Sequence, residues 1–273
     1  MKCPIDSHYI LGTDYNLKIA LLSDIHECET SDILISLRKN SPNLICISGD
    51  FVIGNWPLTN VPFMSTKNDL LYFLEQCTNI TTTVVSLGNH EWMLDEDDIA
   101  IIHSTGVRVL NNEWIEVKNV YIAGLTSGFT NHYWKYRKEI NILYPKHITE
   151  RYPFSKIDID MQSTIPEYKW LLEFEKLRGY KILLSHHPEY WNVQPPYLSQ
   201  FQIDLVLSGH AHGGQISIVN RGLYAPGQGF FPKYTSGIHK SRYGKMIISR
   251  GLRNTYRWIP RIHNPLEIVY INI

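Results

Sequence analysis

Leu44-Ile45-Cys46-Ile47-Ser48-Gly49-Asp50 is the stretch of this 273-residue chain that decides its fold. The run begins with four apolar residues, which predicts a fully buried β-strand. It ends at Gly49, and the carboxylate of Asp50 stands directly at its tip. Open α/β sheets carry reactive groups at the carboxyl ends of parallel strands, but a lone Gly-Asp pair is more often an ordinary turn. The other predicted strands decide between these two interpretations.

Four other apolar runs end in polar residues in the same way. They lead into Asp24-Ile25-His26, Gly88-Asn89-His90-Glu91, His186-His187-Pro188 and Gly209-His210-Ala211-His212. Any one of these motifs alone is more often a turn or a chance pairing. All five in order, each directly after a predicted strand, are typical of a metal site. Because parallel strands present their carboxyl ends together, we expect the five tips to converge at one edge of a sheet.

The polar groups at the tips are those that bind transition metals. They comprise four imidazoles, two carboxylates and one amide oxygen, from Asp24, His26, Asp50, Asn89, His186, His210 and His212. Nitrogen and oxygen ligands without a thiolate suit Zn, Mn, Fe or Co. Seven such groups exceed the needs of one ion, which takes about four to six ligands. The set therefore predicts two divalent ions that share one carboxylate.

Length and composition predict one domain and a soluble, cytoplasmic protein. The chain has no proline- or serine-rich linker, and its five tips span Asp24 to His212. The formal net charge is zero, so no binding of nucleic acid is expected. No apolar run approaches the roughly 18 residues of a membrane helix, and Met1 to Asn16 has no apolar signal core. The four cysteines lack CxxC spacing and predict no disulfide framework.

Hydrophobic periodicity predicts a β-α-β-α-β-α order followed by several more strands. Helices are predicted at residues 31–39, 67–76, 95–104 and 166–177, and a short strand at 9–12. Strands at 114–117 and 120–123 are expected to form a hairpin. The strands predicted at 215–219, 245–249 and 266–271 are assigned to a second sheet.

Two stretches stand out from this regular pattern. Residues 127–165 are rich in aromatic and basic side chains but have poor periodicity, which is typical of a long functional loop or insert. We predict that residues 129–154 form either a lid that selects substrates or an insert packed away from the site. Between Leu205 and Leu266 there are nine Lys or Arg residues and no acidic one. This predicts a solvated basic face or a rim that attracts an anionic substrate.

The five motifs resemble those of the calcineurin-like metallophosphoesterases. The resemblance covers roughly residues 17–215. In addition, Gly213-Gly214-Gln215 and Ser249-Arg250-Gly251-Leu252 are similar to the bacterial branch of phosphodiesterases and lipid-precursor pyrophosphatases. The resemblance implies a single metallophosphoesterase domain over residues 1–273. Its implied fold is α/β, a four-layer α/β-β-α sandwich of two mixed sheets flanked by helices.

The resemblance also implies a role for each residue at the tips. One ion would be held by Asp24, His26, Asp50 and His212, and the other by Asp50, Asn89, His186 and His210. Asp50 would bridge the two ions, with a hydroxide between them as the nucleophile. His90 would not be a ligand, but with Asn89 it would contact the phosphate as an acid or as a stabiliser of the transition state. Glu91 would support the site instead of binding metal.

These features predict a metal-dependent phosphoester hydrolase. Its expected substrate is a phosphodiester or pyrophosphate, in a phosphorylated small molecule or a lipid precursor. A phosphomonoesterase for small molecules or phosphoproteins is the alternative, and a non-catalytic metal-binding scaffold is a third. Protein serine/threonine phosphatases follow their Gly-Asp motif with Asp-Arg, whereas Phe51-Val52-Ile53 follows here. Many lipid-processing relatives have an N-terminal hydrophobic segment that is missing here, so any membrane contact would be peripheral.

Overall fold

Two mixed β-sheets pack against each other in the computed structural model. The structure describes residues 3–54, 61–132, 134, 165–218, 221–253 and 260–273. The first sheet contains β1 (Ile5–Ile10), β2 (Lys18–Leu22), β3 (Leu44–Ser48), β4 (Thr83–Ser86), β5 (Arg108–Leu110) and β16 (Glu267–Asn272). The second contains β6 (Glu113–Val117), β7 (Val120–Leu125), β8 (Tyr180–Ser185), β9 (Leu205–Ser208), β14 (Gly237–Lys240) and β15 (Lys245–Ile248).

The first sheet has the strand order β1-β16-β2-β3-β4-β5, in which β2 to β5 are parallel. This confirms the three predicted strands that precede Asp24, Asp50 and Asn89. The strand predicted at 9–12 lies earlier, because residues 5–10 pair in parallel with β16. The assignment of residues 266–271 to the second sheet is wrong. That strand, β16, lies between β1 and β2 and pairs antiparallel with β2.

The second sheet has the order β14-β15-β9-β8-β7-β6, in which β7, β8, β9 and β15 are parallel. The predicted hairpin is confirmed as β6 and β7, and the strand predicted at 245–249 is confirmed as β15. The assignment of residues 215–219 to the second sheet is wrong, although a short strand lies within this range. Ser217–Ile218 (β10) pairs with Arg221–Gly222 (β11) in a small ribbon, because β8 and β15 already occupy both sides of β9.

Alternate residues of the central strands face opposite sides of each sheet, which creates three apolar layers. In β2, Ala20 and Leu22 face the helices, whereas Ile19 and Leu21 face the second sheet. In β8, Leu183 faces an outer layer of short helical turns. Each large side chain buried in these layers contributes about 1.5–3 kcal/mol relative to an exposed one. Helices, two sheets and helical turns together form the expected four-layer α/β-β-α sandwich.

The helices over the first sheet begin and end close to the predicted positions. They are α1 (Ser31–Asn40), α2 (Asn68–Ile80) and α3 (Glu96–Ser104). Asp95 and Asp98 form a capping box that stabilises the start of α3. The apolar faces of the helices, which include Leu37 and Phe73, pack on the first sheet.

The predicted helix at 166–177 is much shorter in the structure, where α4 spans Leu171–Phe174. The preceding turn has short-range hydrogen bonds, from Leu171 N to Tyr168 O and from Leu172 N to Lys169 O. Trp170 stacks on Trp114 of β6, with ring centroids 6.0 Å apart, and this contact fixes the segment against the sheet. Tertiary packing thus outweighs the helical pattern of the sequence.

The predicted lid or insert at 127–165 lies largely outside the described residues. Within it, residues 128–132 are helical, and Trp134 Nε1 donates to the carbonyl of Trp92. No helix in the described part of the chain has both the length and the apolar character that crossing a bilayer requires.

Candidate metal centre

The five predicted tips meet between the two sheets instead of at the edge of one. Asp24, Asp50 and Asn89 follow β2, β3 and β4 of the first sheet, while His186 and His210 follow β8 and β9 of the second. The parallel strands of both sheets end on the same side, so their carboxyl ends face one shared space. The expectation of a common sheet edge is therefore corrected, although the predicted convergence of the tips is observed.

One group of possible ligands forms around Asp24. Nitrogen atoms of His26 and His212 and an oxygen of Asp24 all lie within 4.8 Å of one another. Asp24 Oδ1 is 3.5 Å from His212 Nε2 and 3.9 Å from His26 Nε2. All three side chains are buried. Their spacing leaves room for a shared cation between them.

A second group forms around Asp50, which also lies beside the first. Ligand atoms of Asp50, His186 and His210 lie within 4.8 Å of one another, as do those of Asp50, His26 and His90. Asp50 Oδ2 is 2.9 Å from His186 Nε2 and 3.8 Å from His26 Nε2. Asp50 thus belongs to one group with His186 and His210 and to another with His26 and His90. Since His26 also belongs to the group around Asp24, the Asp50 carboxylate lies beside both sets of possible ligands.

Backbone carbonyls fix the orientation of two imidazoles. The Nδ1–H of His26 donates to Val52 O at 3.0 Å, and that of His186 donates to Ser48 O at 2.7 Å. Each ring therefore directs Nε2 toward the carboxylates. His26 Nε2 and Asn89 Oδ1 are buried without a hydrogen-bond partner among the described residues. Buried polar atoms normally have partners, so these orphan atoms fit a site built for metal ions.

Burial and neighbouring charges set the protonation states of the cluster. Burial disfavours ionisation of Asp50, but His186 and His90 outweigh it and hold the pKa of this carboxyl well below its usual range. Burial lowers the pKa of His210 to about 3 and that of His212 to about 4. An ionised carboxylate and neutral imidazoles are the forms that metal ions bind.

The chain adopts unusual backbone conformations at the candidate ligands. Asp24, His26, Asp50, His210 and His212 all have positive φ, between 45° and 62°. This region costs energy for residues other than glycine, and such residues cluster at functional sites. The strain turns each side chain sharply away from its strand and toward the shared space.

Glycines let the polar loops approach one another closely. A Cβ on Gly209 would lie 2.5 Å from Asp24 Oδ2, and one on Gly88 would lie 2.3 Å from Asp50 Oδ1. Each of these glycines precedes a candidate ligand in its motif. Their missing side chains make room for the two carboxylates.

Glu91 ties two of the loops together through the backbone. Its carboxylate accepts the N–H groups of Asp50 (2.9 Å), Phe51 (2.9 Å), Val52 (3.2 Å) and Gly88 (2.7 Å). Burial, with a further contribution from Asp50, raises the pKa of Glu91 to about 7. Glu91 is thus engaged by the backbone, in the supporting position expected from the sequence.

His90 is the most accessible imidazole of the cluster. Its side chain is 35% exposed, whereas those of His26, His186, His210 and His212 are between 0 and 10% exposed. Its Nδ1–H donates to Ile53 O, and its Nε2 lies 3.9 Å from Asp50 Oδ2. The His90 ring therefore lies close to the Asp50 carboxylate and is also accessible from solvent.

The sequence reasoning missed a fourth cluster, formed by His187, Glu189 and His210. Glu189 is buried, and its Oε1 lies 3.1 Å from His187 Nδ1 and 3.6 Å from His210 Nε2. Ser127 Oγ contacts the other ring nitrogen of His187 at 2.8 Å. A signal was present, because His187 directly follows the predicted ligand His186 and Glu189 lies three residues after it.

Three arginines of the acid-free segment lie near the cluster and differ in their contacts. Arg250 Nη1 binds the buried carboxylate of Glu267 at 2.9 Å. Arg261 donates to the carbonyls of Arg250 and Arg253, both at 2.7 Å, and its Nη2 is 3.3 Å from His212 Nδ1. Arg253 is half-buried and donates to the carbonyl of His26. Arg253 therefore brings a guanidinium to the margin of the metal-binding groups.

Comparisons with known proteins agree with this geometry. The sequence model of the family described as "Calcineurin-like phosphoesterase" matches residues 17–214. A metallophosphoesterase of Campylobacter jejuni, itself named as uncharacterized, is 26% identical over 275 residues, covering 94% of this chain and 59% of that protein. A second uncharacterized metallophosphoesterase, from Aquifex aeolicus, is 25% identical over 282 residues, covering 96% of this chain and 86% of that one.

A solved structure is also similar to this chain, at low sequence identity. A dimetal phosphatase from Danio rerio has a TM-score of 0.46 and 11% identity, over 86% of this chain and 87% of that one. This likeness concerns the fold alone.

We predict that Glu189→Ala weakens metal binding by about 10- to 100-fold, because it removes the carboxylate that accepts a hydrogen bond from His187 Nδ1 and holds this ring against His210. Titration calorimetry with Mn²⁺ measures this change directly. Glu189→Gln is the matched control, since its side-chain oxygen can still accept a hydrogen bond from His187 Nδ1–H.

The same variants show whether Glu189 acts on metal binding or only on the stability of the fold. Glu189→Ala should melt close to wild type before metal is added and should gain less thermal stability when Mn²⁺ is added. Equal metal affinity in wild type and Glu189→Ala would contradict the predicted contribution of Glu189 to metal binding.

Proposed function

The chain belongs to the calcineurin-like phosphoesterase family, and on this premise we propose that it hydrolyses a phosphodiester or pyrophosphate with two bound divalent ions. The proposal depends on one observation above all. The side chains of Asp24, His26, Asp50, His186, His210 and His212 converge in a buried space. All predicted ligands and His90 are present, which argues against a scaffold that has lost its chemistry.

We assign the ions to the residues that the sequence motifs imply. Asp24, His26, Asp50 and His212 would hold one ion, and Asp50, Asn89, His186 and His210 would hold the other. When bound, two such ions supply Lewis acidity toward the phosphoryl oxygens and lower the pKa of water, so that the expected bridging hydroxide is available at neutral pH. Manganese as the native ion and a cytoplasmic location stay predictions.

The side chains around the ions have separate tasks in this proposal. Asp50 holds its position through its Oδ1, which accepts the backbone N–H of His90 at 3.0 Å. His90 presents Nε2 to the phosphoryl group and donates a hydrogen bond or a proton as charge develops. Its Nδ1–H is already bound to Ile53 O, which fixes the ring in this orientation. The amide of Asn89 contacts the same phosphoryl group.

The surroundings of Asp50 favour a diester over a monoester. Phe51 and Val52 follow Asp50, are 0% exposed and pack in the core beneath the helices. No cation can therefore reach the substrate from the position where protein phosphatases have an arginine. A monoester dianion carries more charge than a diester and needs more positive charge around it. The ions, Asn89 and His90 suffice for the single charge of a diester.

A phosphomonoesterase is the second candidate, and Arg253 is the observation that favours it. The Arg253 guanidinium contacts the backbone of His26, whereas the Arg250 guanidinium is paired with Glu267. Arg253 is thus the better placed of the two to bind a further phosphate oxygen. In a small-molecule or phosphoprotein monoester, Arg253 would bind the additional charged oxygen of the phosphate. In a diester or a lipid-precursor pyrophosphate, it would contact the second substituent of the phosphate instead.

We predict that His90→Asn lowers kcat by about 100-fold or more, because the group that meets the developing charge is lost. Steady-state kinetics together with metal analysis by mass spectrometry test this. The metal content should stay at the wild-type value, and His103→Asn, at an exposed histidine near the end of α3, should leave both quantities unchanged. Loss of metal in His90→Asn would identify His90 as a ligand and refute its assigned role.

We also predict a higher kcat/KM for bis-p-nitrophenyl phosphate than for p-nitrophenyl phosphate with Mn²⁺-loaded enzyme at neutral pH. The reason is that Phe51 and Val52 follow Asp50, where protein phosphatases have an arginine. Parallel assays of the two esters under one buffer condition measure the ratio. A clear preference for the monoester, or efficient release of phosphate from phosphoserine peptides, would replace this proposal with the second candidate.

A further inference from the structure

Three aromatic side chains are exposed together on one hairpin beside the metal centre. Phe230 and Phe231 are 73% and 78% exposed, and Tyr224 is 39% exposed. Tyr224 and Phe230 are paired across the short strands β12 (Tyr224–Ala225) and β13 (Gly229–Phe230), with ring centroids 5.4 Å apart. We call these three residues the aromatic tip. Single exposed apolar side chains are common, but adjacent ones mark a binding surface.

The base of the hairpin is firmly held, so the aromatic tip is presented on a rigid support. Ala225 is fully buried. Leu223 N donates to Gly214 O at 3.0 Å and to Ile216 O at 2.8 Å, and Phe231 N donates to Leu223 O at 2.9 Å. These hydrogen bonds fix the backbone of the hairpin to the loop that carries His212, while the aromatic rings are exposed to solvent.

Two exposed cations flank the aromatic tip in the sequence. They are Arg221 and Lys233. The whole stretch from Leu205 to Leu266 has no acidic residue, although the chain as a whole has zero formal net charge. The charge is therefore segregated, with cations next to exposed aromatic rings. A partner with negative charge at its surface and apolar groups just below would complement both features.

We propose that the aromatic tip, with Arg221 and Lys233, docks the protein on a bilayer that contains anionic phospholipids. Aromatic rings partition into the interfacial region of a membrane, and nearby Lys and Arg are attracted by anionic headgroups. Two phenylalanines with a tyrosine supply the apolar contact, and the flanking cations supply the electrostatic attraction. The contact is peripheral and reversible.

Docking of this kind would bring the metal centre to the level of the headgroups. The hairpin lies on the loop that contains His212, Gly213 and Gly214. Gly227, at the turn of the hairpin, packs on Glu189 so closely that a Cβ on this glycine would lie 2.3 Å from the Glu189 carboxylate. Phosphate groups at the bilayer surface would then lie near the ligands. This consequence rests on the proposed function, but the docking itself does not.

Sedimentation with vesicles tests the docking without any turnover. The probes are phosphatidylcholine vesicles with and without phosphatidylglycerol. We predict that wild-type protein sediments with the anionic vesicles, that high salt weakens the binding, and that Phe230→Ser/Phe231→Asn lowers the affinity about tenfold or more. Asn suits position 231 because its φ is 53°.

Matched variants make the result specific to the aromatic tip. Ile10→Ser/Ile35→Ser removes two apolar side chains that are 82% and 62% exposed elsewhere, and it should bind like wild type. Hydrolysis of soluble bis-p-nitrophenyl phosphate should be equal in all three proteins, so failure of docking and failure of the proposed reaction are distinguishable. Absence of vesicle binding, equal binding of the tip variant, or equal binding to pure phosphatidylcholine would each overturn the proposal.

Discussion

Two buried carboxylates, Asp24 and Asp50, face the same space between the sheets, and the rest of the site depends on how their charge is compensated. Burying unpaired charges costs several kcal/mol per ion. Burial lowers the pKa of His186, but the charges of Asp50 and Asp24 outweigh this effect and raise the pKa to about 10. This imidazole therefore carries a proton beside Asp50. Divalent cations compensate both carboxylates more completely, which is the physical reason to expect metal ions here.

The fold meets this constraint by combining the strand ends of two sheets. Parallel strands end on one side, and positive-φ residues turn Asp24, Asp50 and His210 inward. Gly88 and Gly209 allow the loops to touch, and Glu91 binds the loops after β3 and β4 through four backbone N–H groups. Because each side chain is held by its own strand end or backbone contact, the arrangement is rigid before any ion binds, as preorganised sites require.

The central strands and the candidate ligands could be predicted from the sequence because both signals are local. A buried apolar run followed directly by His, Asp or Asn marks a strand and a candidate ligand in one stretch, as for Asp50 and His186. Sheet membership could not be predicted for β16, since its partners lie at the other end of the chain. The contact of Arg261 with His212 could not be predicted for the same reason. The two residues are 49 positions apart, and no local pattern marks that contact.

The number of ions bound per chain tests the central claim most directly. Titration calorimetry with Mn²⁺, checked by mass spectrometry of the metal content, should give two ions for wild type. Asp50→Ala should lose both, because the proposed assignment makes its carboxylate a ligand of both ions, whereas His26→Ala should mainly weaken one. A single ion in saturated wild-type protein, or two ions retained in Asp50→Ala, would contradict the account.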